Sequence, residues 1–206
     1  TGLRGPQEGR SRTVIHWNAR VPASYRRSVR RGDTRGIIVL VQLWLAKKID
    51  TRSGALYVLT QVAAGVVAAL SVRWLFPAGA GAFAGYGVPR LSGTLTGTEA
   101  LVVEALLTLF LVSAVFGTAV SPAGPKVGGF AIGLVLLFAL LAGGPLTGAA
   151  VNPARAFGPA LVAQEWHGHY VFWAGPLLGG AAAAVLWAGL LLPRSNGRKA
   201  GKRPDL

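Results

Sequence analysis

The residues best able to do chemistry lie in one short stretch, VNPARAFGPAL at 151–161, where an Asn, a Pro and an Arg fall within four positions of an otherwise apolar run. Asn152 is a favoured N-cap, because its side-chain oxygen accepts from an amide two or three residues on. Pro153 suits the first helical position, where no N–H is needed. A short helix is therefore expected to start at Pro153. Its first-turn N–H groups carry about half a positive charge of helix dipole, an electropositive spot with no titratable group. Asn152 adds amide donors, and Arg155 adds a permanent charge and further donors. Set at a constriction, such groups hydrogen-bond a neutral molecule and repel cations, hydronium included. This is the chemistry of filtering small uncharged solutes. Taken alone, an Asn-Pro pair is a common turn, and an Arg on an isolated helix can snorkel to an interface. The surrounding elements decide between these readings.

Other reactive side chains are scarce. There is no Cys, hence no disulfide, thiolate nucleophile or Cys-based metal site. No paired carboxylates stand at a useful spacing, and the only histidines are His16, His167 and His169. The pair in WHGHY undersupplies a zinc site and reads as outer-loop polar residues beside the interfacial Trp166 and Tyr170. Neither an enzyme nor a cofactor is expected. Glu104 alone interrupts the apolar run 101–120, and an intramembrane carboxylate is a functional group by default, with helix packing as the plainer alternative.

These residues must be positioned by membrane-spanning elements. The chain of 206 residues is 52% hydrophobic with a formal charge of +14. Its apolar runs at 56–76, 101–120, 127–142 and 170–192 have about the length that crosses a hydrocarbon core of roughly 30 Å. The third is expected to close at Gly143-Gly144-Pro145, and SPAGPK at 121–126 to form a polar turn. A shorter run, 36–46, reads as a half-membrane helix or a buried piece. Lys47, Lys48 and Arg52, then Lys126, then the basic tail 193–206 fall on alternate loops, which places them all on the cytoplasmic side. The loop between the third and fourth spans is too long and too apolar for an exposed turn. It is expected to dip back into the membrane, where non-helical backbone survives only beside protein or a polar cavity.

Residues 1–35 are Arg-rich, without aliphatic runs, and are expected to be disordered or non-native. As a charge pattern the segment could hold anionic lipid or nucleic acid, or be a solvated tail. An out-of-frame reading of a GC-rich gene also produces such a run, and that reading is preferred here. No nucleic-acid partner is expected. The start at Thr1, with no apolar leader, is read as that of a fragment or processed chain.

The runs GGPLTGAAVNPARAFGPALV (143–162) and HGHYVFWAGPLLGG (167–180) resemble the second half of an aquaporin, a member of the major intrinsic protein family of water and small-solute channels. The likeness extends upstream through EALLTLFLV at Glu104 to YVLTQVAAG around Gln61, covering roughly residues 39–192. It implies an all-α membrane protein, an aquaporin-like right-handed helical bundle with a re-entrant half-helix. That fold is an inverted repeat in which each half brings an Asn-Pro-Ala half-helix to the midplane. By this resemblance 36–192 is the transmembrane domain, 56–76 its third helix and 101–192 its complete second repeat. Asn152, Pro153 and Ala154 would be the second signature and Arg155 the filter arginine. Leu140 would stand where water-selective members often carry His, and Ala149 at a further filter position. Glu104 would brace the re-entrant backbone, with Gln61 also assigned to support of that loop. The partners implied are the lipid bilayer, small neutral solutes with water foremost, and three further copies in a homotetramer. The expected location is an integral, multi-pass one in the cell membrane of a bacterium or archaeon.

The first repeat departs from the pattern. Two spans and the first Asn-Pro-Ala have no counterpart, and Gly36-Ile37-Ile38 stands where that signature belongs. A four-span bundle would then expose Asn152 and Glu104 to lipid, so the expectation is a channel impaired in this chain. Leu140 and the small Ala149 leave a filter wider and less polar than a strict water filter. Ala156, where glycerol facilitators tend to show Asp, tilts the balance to water. The alternatives are an aquaglyceroporin-type glycerol facilitator and a non-conducting membrane protein anchored by its basic ends.

Overall fold

The computed structural model describes residues 51–76, 78–121, 124–125 and 127–187. The run 36–46, the segment 1–35 and the tail 193–206 lie outside the described residues. The regular elements of the described part are all helical: α1 (Thr51–Leu75), the short α2 (Ala78–Phe83), a 3-10 turn (Gly85–Gly87), α3 (Gly97–Val115), α4 (Gly128–Thr147), α5 (Pro153–Ala163) and α6 (Val171–Leu186). A π-helical turn, Phe116–Val120, prolongs α3.

Among the described residues three helices are long and apolar enough to cross a membrane, at Thr51–Leu75, Gly97–Thr118 and Gly129–Thr147, and the apolar α6 is described over 16 residues. Each has the place the apolar runs predict, with shifted ends. The start of α3 is fixed at Gly97 by a reciprocal cap: Thr96 Oγ1 accepts from the Glu99 N–H, and Glu99 Oε2 accepts from the Thr96 N–H at 2.7 Å. The third span does not close at Gly143-Gly144-Pro145. It runs through them to Thr147 and ends at Gly148, whose φ of 80° is the left-handed cap glycine tolerates. Pro145 lies inside the helix near its end, where it lacks the N–H that would bond the carbonyl four residues back.

Small residues set the helix crossings. Gly175 of α6 faces α3 so closely that a Cβ there would stand 2.7 Å from the Glu104 Cβ, and one on Gly179 would run into the Ala105 carbonyl. Gly65 of α1 and Gly158 of α5 face each other in the same way, backbone against backbone. In lipid, where apolar surface gains nothing from leaving its solvent, such close approach supplies the association energy. The outward faces stay apolar: Phe130, Leu137 and Leu141 of α4 are 72%, 52% and 71% exposed. An apolar face of that extent is a lipid contact rather than a water-exposed surface.

Candidate functional site

The site is built around α5. Asn152 caps it as its sequence predicts, its Oδ1 accepting from the Ala154 N–H at 3.1 Å, with Pro153 as the first helical residue. The helix is only 11 residues long, and it packs against α1 through the Gly65–Gly158 crossing. Its N-terminal end opens on a cleft of about 470 Å³ whose wall includes Gln61, Gly65, Tyr86, Asn152, Ala154 and Arg155.

The backbone leading into α5 is irregular and buried, with φ of 80°, 44° and 44° at Gly148, Ala149 and Val151. Left-handed backbone at Ala and Val costs of order 1–3 kcal/mol each and persists only where the surroundings hold it. Glu104 holds it. The carboxylate is fully buried; Oε1 accepts from the Thr147 hydroxyl at 2.7 Å and the Ala150 N–H at 2.9 Å, and Oε2 accepts from the Val151 N–H at 2.8 Å. Thr147 Oγ1 in turn accepts from the Ala149 N–H at 3.3 Å. Glu104 is thus not exposed to lipid, contrary to the expectation from a four-span count, because Thr147 and the re-entrant backbone cover it. Asn152 is half-buried rather than bare.

Arg155 is exposed on the cleft and donates from Nη1 to the Gly87 carbonyl at 2.7 Å. That acceptor belongs to the turn Gly85–Tyr86–Gly87, whose φ values of 57°, 49° and 84° are all left-handed. The Arg90 guanidinium lies beside Gly85 of that turn and pairs bidentately with Glu165 at 2.8 and 2.7 Å. The hydrogen bond from Arg90 holds the Glu165 carboxyl below its usual range, and the same bond raises Arg90.

The other expected site residues are dispersed. Leu140 lies on α4 with 56% exposure, and Ala149 is 6% exposed against Leu107, Ala139 and Val151; neither is among the residues lining this cleft. Gln61 makes no hydrogen bond to the re-entrant backbone among the described residues and lines the cleft instead. His169 is more than a polar loop residue. Its Nε2 accepts from Trp173 Nε1 at 3.1 Å, its ring stands 4.9 Å from Trp166, and burial lowers its pKa. This aromatic cluster includes Phe157, so it clamps α5 against the start of α6. Among the described residues no group of three metal-ligating side chains occurs.

Sequence reasoning missed Thr147, the Gly85–Gly87 turn and the Arg90–Glu165 pair. The first had a weak signal, a hydroxyl directly before the glycine that ends a span. The Gly-Tyr-Gly triplet shows where left-handed backbone is cheap, but nothing in it names Arg155 as the partner.

A half-membrane helix capped at its N-terminus, entered through backbone pinned by an intramembrane carboxylate, defines the class: a polytopic helical membrane protein with a re-entrant segment. The sequence profile described as "Major intrinsic protein" matches residues 38–187. The chain belongs to the major intrinsic protein family. It is 43% identical over 154 residues to Aquaporin TIP4-4 of Zea mays, covering 72% of this chain and 58% of that protein. Against Aquaporin TIP1-1 of Arabidopsis thaliana it is 39% identical over 147 residues, covering 70% of this chain and 57% of the relative. The chain therefore spans a little under three fifths of the length of these curated relatives. The fold matches the X-ray structure of the aquaglyceroporin from Plasmodium falciparum with a TM-score of 0.63 at 18% identity, over 77% of this chain and 72% of that one. The sequence relatives are plant proteins and lend no support to a bacterial or archaeal source.

Proposed function

We propose that this chain forms the pore wall of a channel for passive passage of water and other small neutral solutes. The observation that carries the reading is the cleft at the start of α5, where Asn152 and Arg155 share one wall and Arg155 is fixed by the Gly87 carbonyl. First-turn donors and a fixed cation suit a neutral hydrogen-bonding molecule and oppose cations. Leu140 and Ala149 are assigned to the filter by family position, and Glu104 to bracing the re-entrant backbone. Water ranks ahead of glycerol because Ala156 stands where glycerol facilitators tend to carry Asp. Residues 36–192 are proposed as one transmembrane domain, assembled with further copies as a homotetramer.

The described cleft is lined by α1, the Gly85–Gly87 turn and α5, and the sequence has no counterpart of two spans and of the first Asn-Pro-Ala, so the 206-residue chain alone is expected to be a poor conductor. Stopped-flow swelling of proteoliposomes tests both statements. The chain by itself should stay near the lipid leak. A version extended to the length of its relatives should pass water faster than glycerol and lose most of that permeability or its selectivity on Arg155→Ala. Glycerol outrunning water would reverse the substrate order, and no permeability in the extended version would remove the channel reading.

A further inference from the structure

A chain of contacts runs from the outer loops to the cleft and ends at Arg155. Arg90 donates from Nε and Nη2 to the two carboxylate oxygens of Glu165, so the guanidinium is held in a planar fork. The same guanidinium lies over Gly85, where a Cβ would stand 2.6 Å from Nη2. Gly85 opens the left-handed turn, and its middle residue is Tyr86, for which left-handed backbone is unfavourable by about 1–2 kcal/mol. A turn of that kind keeps its shape only when its surroundings hold it. Its last carbonyl, on Gly87, accepts from Arg155. On the other side Pro89 seats on Gly148, and the Arg73 guanidinium stands 6.0 Å from the Tyr86 ring centroid.

We propose that the Arg90–Glu165 pair is a positioning strap: by pinning the Gly85–Gly87 turn it fixes the Gly87 carbonyl and so aims the Arg155 guanidinium into the cleft. Arg90 and Glu165 touch no solute in this scheme; they act through Gly87. With the strap cut, the Gly87 carbonyl drifts, Arg155 gains alternative rotamers, and the cleft loses its fixed positive charge. The inference rests on the reading of Arg155 as the charge of the filter, and the experiment separates the two.

The chain has no Cys, so Val72→Cys places a single thiol on the cleft wall. Its reaction rates with anionic sulfonatoethyl and cationic trimethylammonioethyl methanethiosulfonate, measured on the full chain in detergent, report the local potential without requiring conduction. One charge at roughly 10 Å and an effective dielectric near 40 biases the two reagents oppositely, for a change in their rate ratio of roughly 15- to 20-fold. Arg155→Ala should remove that bias. Arg90→Gln and Glu165→Gln should each bring the ratio at least halfway to the Arg155→Ala value, and the exchange Arg90→Glu with Glu165→Arg should restore it. If Arg155→Ala leaves the ratio unchanged, the filter reading of Arg155 fails and the strap with it. If Arg155→Ala removes the bias but the strap variants keep the parent ratio, the strap alone is overturned. A charge exchange that stays as low as the single variants also overturns it, because the pair then matters as packing and not as an ion pair.

Discussion

Glu104 shows how much one side chain can decide. In sequence it is a single acid in twenty apolar residues; in the fold it accepts two backbone N–H groups and one hydroxyl, all buried. Removing it would leave those donors unpaired and the left-handed backbone at Ala149 and Val151 unsupported. Glu104→Ala is therefore expected to destabilise by on the order of 3–5 kcal/mol, and Glu104→Gln by less, since an amide oxygen in place of Oε1 still accepts two of the three. Thermal unfolding in detergent measures both. Equal stability of the parent and the alanine variant would dismiss the bracing role. The residue's presence was legible in the sequence as an intramembrane acid. Its partner Thr147 was not, because nothing local links two positions 43 residues apart.

At the scale of elements the half-helix α5 depends on its seat against α1. The two approach through bare backbone at Gly65 and Gly158, and a Cβ on either would overlap the other helix. Gly158→Val should push α5 off α1 at a cost of about 1–3 kcal/mol or more, and so open the cleft. Limited proteolysis of the loop after α5 should then be faster, while a substitution at the open Gly133 of α4, where a Cβ meets nothing within 4 Å, should leave it unchanged. The existence of α5, its cap and its first residue could be read from Asn152-Pro153, because capping is a local preference. The true end of α4 could not. Gly-Gly-Pro is ordinarily a stop, and here the helix continues for two residues beyond the proline because Thr147 must reach Glu104.

Among the described residues, side-chain polar ties between helices centre on Glu104 and Thr147. Close helix crossings at small residues do most of the work inside the bilayer. Outside it, Arg90–Glu165 joins the loop after the Gly85–Gly87 turn to the loop after α5. Glu165 titrates below its usual range, chiefly through the bond from Arg90 and with a smaller contribution from His167. A carboxylate depressed in the folded state adds stability above its unfolded pKa, and that stability is lost as pH falls through the folded value. The pair is partly solvent-exposed, so its worth is at most about 1 kcal/mol. The unfolding temperature of the parent should exceed that of Glu165→Gln at neutral pH, and the gap should close below the usual carboxylate range. A gap that persists at low pH would mean that the ion pair is not its source.

The sequence by itself determined the membrane character, the apolar helices and their order, the capped half-helix and the family, because run length, charge placement and capping chemistry are local. Only the tertiary structure decided what those parts do to one another. It buried Glu104 under the re-entrant backbone instead of exposing it and turned Gln61 to the cleft wall. It drew His169 into an aromatic clamp and gave Arg155 a partner in a left-handed turn 68 residues away. These are contacts between segments distant in sequence, fixed by helix crossings that bring glycines together, and no local pattern of residues encodes the distance between them.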